Sequence, residues 1–116
     1  MKSSEVIRDA MNRVAKGWCK WALMNDEGNV CMAGAMMQAS GMGLGVGNRT
    51  DWYGADWDGA PQESRDLYYS ARGAIADVIK EQYGHTSVSA MNDSTTQPEV
   101  LAVMEKAALG LEERGE

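Results

Sequence analysis

The stretch "QESRDLYYSARGAIADVIKEQYG", residues 62–84, predicts the longest helix of the chain. Its apolar residues recur at the three- and four-residue spacing that places them on one face of an α-helix. That face consists of Leu67, Ala71, Ala74, Ile75, Val78 and Ile79. Pro61 suits the start of a helix, and Gly84 suits a left-handed helix end. A long helix with one apolar face must be covered by other elements, and the rest of the chain supplies more helices.

Three further segments show helical periodicity: residues 4–16, about 30–40 and about 97–109. Gly17 is predicted to stop the first of them in a left-handed conformation, and Asn29 to cap the start of the second. Gly34, inside the second segment, predicts the close approach of a neighbouring element, because glycine in a helix interior is otherwise unfavourable. The fold class is therefore mainly α. We predict a small single-domain bundle of about four helices over residues 1–116, with residues 110–116 as a frayed tail.

Bulk composition limits the classes of function. The chain has 116 residues, of which 44% are hydrophobic and 24% charged, as is typical of a globular domain. A net charge of −6 argues against a nucleic-acid partner, which needs clustered Lys and Arg. No apolar run approaches the roughly 18 residues of a membrane span, and the N-terminal residues do not form a signal peptide. With two cysteines only, a cytoplasmic protein with reduced thiols is predicted.

The segment 41–60 is predicted to be a long Gly/Trp-rich loop between the second and third helices. It begins with alternating glycines, "GMGLGVG", and ends with two near-copies of one pentapeptide, DWYGA and DWDGA. Loops of this length in compact domains are usually functional or mobile. Aromatic residues dominate binding hot spots, so this segment is the candidate partner-binding site. Its members are Asp51, Trp52, Tyr53, Asp56, Trp57 and Asp58.

Motifs for catalysis, metals and cofactors do not fit the residue spacing. The glycines lack the Gly-Lys-Ser/Thr ending of a phosphate-binding loop, and an EF-hand alignment puts Arg65 where a carboxylate must be. Structural zinc normally takes four ligands, whereas the chain offers Cys19, Cys31 and its single His85. Nothing in the sequence places either cysteine beside His85. We therefore expect no metal, no cofactor and no catalytic residue, and we rank an enzyme last.

Six further residues are interpreted as structural: Trp18, Cys19, Cys31, Gly34, Asn92 and Asp93. Both cysteines are expected to pack as small hydrophobic residues. Asn and Asp fold back onto nearby backbone amides, so Asn92 and Asp93 suit a tight connection that leads into the last helix. The stretch after the first helix, residues 18–30, contains two tryptophans and is predicted to be an extended connection that covers the core, with short strand pairing.

These segments carry a family resemblance. "GWCKWALMNDEGNVCMAGAM", "AIADVIKEQYG" and "MNDSTTQPEVLAVMEKAA" resemble an uncharacterised family of small actinobacterial and phage-encoded proteins. The resemblance is carried by Gly-Trp-Cys at 17–19, Cys-x-x-Gly-Ala at 31–35, and Asn-Asp at 92–93 followed by Glu-Val-Leu at 99–101. It covers most of the chain except 41–60, and Met91 replaces the aromatic residue that often precedes Asn-Asp. The resemblance implies an actinobacterial or phage context and no particular activity.

Three functions remain after these observations. The first is a non-enzymatic interaction protein that binds a host protein, or a second copy of itself, through the acidic-aromatic loop. The second is a small-ligand-binding protein in which the same rings form an aromatic cage. The third is an enzyme. For the first two, the alternative for the rings of 41–60 is that they fold back over the protein's own helices.

Overall fold

The computed structural model describes residues 1–42, 44, 47, 48 and 60–116. The described residues form five helices, which are α1 (Ser3–Lys16), α2 (Met32–Ala39), α3 (Gln62–Tyr83), α4 (Val88–Ser94) and α5 (Gln97–Glu113). Two short strands, β1 (Ala22–Met24) and β2 (Gly47–Asn48), pair antiparallel. The mainly α fold class is confirmed.

Helix α2 lies at the centre of the core. All of its residues except Gln38 are buried, so it has no solvent-facing side of its own. A helix that is apolar on every face must be surrounded, and here α1, α3, α4 and β1 surround it. Met32, Met36 and Met37 are each 0% exposed, and full burial of such a side chain contributes about 1.5–3 kcal/mol. The short α2 therefore organises the longer helices around it.

The predicted close approach at Gly34 is confirmed. A Cβ atom placed on Gly34 would lie 2.1 Å from the backbone oxygen of Leu23 in β1. No side chain fits in that space, so the backbone of β1 rests directly on α2. The helix is capped by Cys31, whose Sγ accepts a hydrogen bond from the Gly34 backbone N–H at 3.3 Å. The predicted cap, Asn29, lies outside the helix.

The end of α3 at Gly84 agrees with the sequence prediction, and the end of α1 at Gly17 differs from it. Helix α3 ends at Gly84 with φ of 79°, the left-handed conformation that was predicted. Gly17, in contrast, is extended with φ of −175°, so the left-handed stop predicted there is wrong. A Cβ on Gly17 would lie 2.1 Å from Oδ1 of Asn29, so a side chain at this position would require the Asn29 amide to move.

The C-terminal helix is longer than predicted. The frayed tail was expected from residue 110, whereas α5 continues to Glu113. Two contacts explain the extension, because Leu111 is only 3% exposed and the Glu112 carboxylate pairs with the Arg8 guanidinium at 2.7 Å. The connection that was predicted to lead into the last helix, with Asn92 and Asp93, contains α4, which is capped by Ser87.

Candidate functional site

The most unusual backbone conformation among the described residues is that of Trp21. Its φ is +70°, and no other described residue except glycine has a positive φ. This region is uncommon for any side chain and is strained for a bulky one, at a cost of about 1–3 kcal/mol. The Trp21 side chain is nevertheless 67% exposed. Burial of the indole therefore does not explain why the strained conformation persists.

A carboxylate holds Trp21 in place. The Trp21 backbone N–H donates a hydrogen bond to Oδ1 of Asp93 in α4 at 3.1 Å. A hydrogen bond to a carboxylate stabilises this conformation and offsets part of the strain. Asp93 is itself oriented by the Asn92 side chain, whose Nδ2 donates to the same Oδ1 at 3.1 Å.

Asn92 joins the segment around Trp21 to the core. Its side chain is 0% exposed. Oδ1 accepts from Nε1 of Trp18 at 2.8 Å and from the Met32 backbone N–H at 3.0 Å. Nδ2 donates to the Cys19 backbone oxygen at 3.2 Å, besides its bond to Asp93. One buried amide thus ties together α4, the first residue of α2 and the connection that carries Trp21.

The same connection is fixed by backbone pairing. Trp18 forms a parallel bridge with Val30, and Val30 forms an antiparallel bridge with Met24. The predicted extended connection with short strand pairing is therefore present. Cys19 and Cys31 flank these bridges, and both thiols are buried. The Cys19 thiol donates to the Asn29 backbone oxygen at 3.3 Å, so it supports the connection as well as packing in it.

A small aromatic and charged surface results, which we call the Trp21 surface and define as Trp18, Lys20, Trp21 and Asp93. Trp18 is half-buried and is held by Asn92 through its ring N–H. The Lys20 Nζ atom lies 5.5 Å from the centre of the Trp18 ring, within cation–π range. Trp21 projects from this base as the exposed member. Geometry of this kind presents an apolar ring on a rigid support, with charges of both signs next to it.

The residues that the sequence singled out as structural come together here. Asn92, Asp93, Trp18 and Cys19 share one hydrogen-bond network, and Cys31 and Gly34 are joined at the start of α2. The sequence did not single out Trp21 as a site residue. The sequence offered two signals, namely an indole in the connection after the first helix and its position beside the Gly-Trp-Cys motif. Neither of them indicates a positive φ.

The predicted partner-binding residues Asp51, Trp52, Tyr53, Asp56, Trp57 and Asp58 lie outside the described residues. The nearest described residue before them is Asn48, which pairs with Ala22 in the two-stranded ladder. Ala22 directly follows Trp21. The last described residue before position 51 therefore lies opposite the neighbour of Trp21.

The described part of the chain contains no group of three or more His, Cys, Asp or Glu residues that could hold a metal ion. His85 is exposed, and its Nδ1 accepts the backbone N–H of Ser87 at 3.1 Å. None of the described helices is both long enough and apolar enough to span a membrane.

Comparison with known families identifies the chain. It belongs to DUF6197, a family of unknown function, whose family model matches residues 1–109. The predicted membership of an uncharacterised family is confirmed at that level. Searches of curated proteins and of solved structures gave no match.

Proposed function

We propose that this member of a family of unknown function is a non-enzymatic, cytosolic interaction protein that binds a protein partner. Trp21 is the central contact, and the acidic-aromatic residues Trp52, Tyr53 and Trp57, with their neighbouring aspartates, extend the surface. The observation that carries the proposal is the strained and exposed Trp21, held by Asp93.

The strained backbone of Trp21 supports a binding role. Residues in sparsely populated backbone conformations persist only where the surroundings over-determine them, and they cluster at binding and catalytic sites. Trp21 gains little from its own burial, yet Asp93 and Asn92 fix its backbone. Tryptophan is the most enriched residue in binding hot spots, and a rigid support lowers the entropy lost on binding. A preorganised contact for a partner accounts for the strained backbone, the exposed indole and the hydrogen bonds that hold them.

The second set of contacts follows from chain connectivity. Asn48 lies opposite Ala22, and Trp52 is four residues further along the chain. Covalent geometry limits the distance between the Cα atoms of Asn48 and Trp52 to about 14 Å. This distance is within the width of one standard protein–protein interface. The indoles of Trp21 and Trp52 can therefore contact a single partner.

The charges of the chain favour a particular partner. The protein carries a net charge of −6, and three aspartates flank the aromatic residues of 51–58. Complementary potentials accelerate association and exclude wrong partners. We therefore expect an apolar pocket surrounded by Lys and Arg on the partner. The family resemblance supports an actinobacterial or phage-infected host as the source of that partner.

The test is affinity capture from such a cytosol, followed by binding measurements with the purified partner. Trp21→Ala and the double variant Trp52→Ala/Trp57→Ala are each expected to weaken binding by about 30-fold or more, since a true hot spot contributes about 2 kcal/mol. The matched control is Tyr83→Ala, which removes an aromatic ring that is 43% exposed on α3. Equal binding by wild type and Trp21→Ala would refute the proposal.

A further inference from the structure

A polar cleft lies beside the C-terminal half of α1, apart from the residues of the Trp21 surface. Its volume is about 550 Å³, within the range of small-molecule sites. One wall is α1, the opposite wall is the turn at 27–30, and α2 contributes Gln38. We call it the α1 cleft. Its charged and amide side chains used below are Asp9, Arg13, Lys16, Glu27, Asn29 and Gln38.

The wall formed by the turn is rigid. Oδ1 of Asn25 accepts the backbone N–H groups of Glu27 at 3.1 Å and Asn29 at 2.9 Å. The Asn25 backbone N–H donates to the Asn29 backbone oxygen at 2.9 Å, which closes the turn. At its end, the Val30 backbone N–H donates to the Gly17 backbone oxygen at 2.9 Å, which joins the turn to the end of α1. The backbone of this wall is therefore held at both ends.

Arg13 is positioned on the opposite wall. Its Nε and Nη2 atoms face the two carboxylate oxygens of Asp9 at 3.3 and 3.5 Å, and Nη1 donates to Oε1 of Gln38 at 3.2 Å. A guanidinium has five N–H donors in a fixed plane. These three contacts leave two N–H groups for another acceptor, counting partners in the described part of the chain. Arg13 thus presents oriented donors from a side chain that is already held.

The charges that line the cleft are balanced, and one cation, Lys16, and one carboxylate, Glu27, are on different walls. Arg13 and Lys16 are three residues apart on α1, so they lie on the same side of the helix. Glu27 lines the cleft from the turn, and Asp9 lies one helical turn before Arg13. Two cations and two carboxylates sum to zero. A simple anion or cation gains no net attraction from such a lining, whereas a ligand that carries both charges can satisfy each end.

We propose that the α1 cleft binds a small zwitterion of the α-amino acid or short-peptide class. The carboxylate of the ligand is bound by Arg13 and Lys16, which can offer bidentate and point-charge contacts respectively. The ammonium group is bound by Glu27 on the opposite wall. The inference does not depend on the Trp21 surface, since it uses different residues.

The experiment is isothermal titration calorimetry of the full chain with the free amino acids and a set of dipeptides. Each ligand that binds is then compared with its N-acetyl and C-amide derivatives. Both derivatives are expected to bind at least tenfold more weakly, because each loses one of the two charges. The free amino acids and the dipeptides form separate arms, which decide the length of the ligand.

Variants connect binding to the cleft. Lys16 and Glu27 are exposed, so Lys16→Gln and Glu27→Gln should fold normally and should each weaken binding at least tenfold. The matched controls are Lys80→Gln and Glu63→Gln on α3, which change the same charges elsewhere and should bind as wild type does. Absence of binding by every ligand at millimolar concentration would overturn the inference. Equal binding by the acetylated ligand, or by Glu27→Gln, would overturn it as well.

Discussion

The backbone N–H of Trp21 donates a hydrogen bond to Oδ1 of Asp93, a residue 72 positions later in the chain. This bond connects the strained, exposed indole to α4, and Asn92 continues the connection into the core. Support from distant parts of the chain allows an unfavourable backbone conformation to persist at the surface. Stability of the network and availability of the indole can be measured separately.

Asn92→Ala is predicted to lower the free energy of unfolding by about 3 kcal/mol or more. The substitution leaves the Met32 N–H, the Trp18 ring N–H and the Cys19 carbonyl without their side-chain partner, and buried unpaired polar groups cost about 1–3 kcal/mol each. Urea denaturation measures the change. Asn12→Ala, at an exposed position of α1, is the control and should change stability by less than about 0.5 kcal/mol. A similarly small change for Asn92→Ala would show that the network does not support the fold.

Two glycine-to-alanine changes are predicted to have opposite signs. In Gly34→Ala the new methyl group would lie 2.1 Å from the Leu23 oxygen, a backbone atom, so we expect a loss of about 2 kcal/mol or more. In Gly73→Ala, within α3, nothing lies within 4 Å of the new atom, and alanine is preferred over glycine in a helix by about 0.5–1 kcal/mol. Thermal denaturation of the two variants gives the signs. Stabilisation by both would contradict the contact between α2 and β1.

The ion pair between α1 and α5 predicts a dependence of stability on pH. The hydrogen bond from Arg8 holds the pKa of Glu112 below its usual value of 4.5. Between the folded and unfolded pKa values the unfolded state binds more protons, so stability rises with pH there. The contribution of Glu112 is present above about pH 4.5 and is lost as the pH falls through its folded pKa.

Glu112→Gln isolates that contribution. The difference in unfolding free energy between wild type and Glu112→Gln should shrink as the pH is lowered from about 6 to about 3, because the wild-type carboxylate becomes neutral. Added salt should reduce the difference at neutral pH, since both side chains of the pair are well exposed. A difference that stays constant over this pH range would argue against the ion pair.

The sequence predicted the parts of the fold that depend on local pattern. The limits of α3 agree with the prediction, because its apolar period is unbroken and Gly84 takes the left-handed conformation. Helix α4 was not predicted, since its seven residues include only Val88 and Met91 as buried apolar side chains, too few to establish a period. The end of α5 was placed too early because its last turn is stabilised by Arg8, a residue 104 positions away from Glu112.

The candidate site could be predicted only in part, because it also depends on contacts between residues that are far apart in the chain. Trp18, Cys19, Asn92 and Asp93 were recognised as structural, but the hydrogen bonds of Asn92 with Trp18 and Cys19 span 74 and 73 residues, and no local pattern encodes such pairings. A positive φ at Trp21 could not be read from the sequence, because that conformation is expected of Gly or Asn. Asp51, Trp52, Tyr53, Asp56, Trp57 and Asp58 remain predictions.

Trp21→Gly is predicted to leave the free energy of unfolding unchanged or to raise it by up to about 1 kcal/mol. Glycine adopts a positive φ without strain and keeps the N–H that bonds to Asp93. Trp21→Ala should be less stable than Trp21→Gly, because both lack the indole and only alanine retains the strain of the positive φ. Urea denaturation of the two variants beside wild type gives the order. If Trp21→Gly were the least stable of the three, the indole would be a structural element of the fold.

The most direct measurement is the affinity of Trp21→Gly for the purified partner, obtained under conditions in which the variant is fully folded. If the indole is a binding contact, Trp21→Gly should bind the partner about 30-fold or more weakly than wild type does. Tyr83→Ala should bind it with the affinity of wild type. An affinity within about threefold of wild type would contradict the account, because a contact that contributes less than about 0.7 kcal/mol is not a binding anchor.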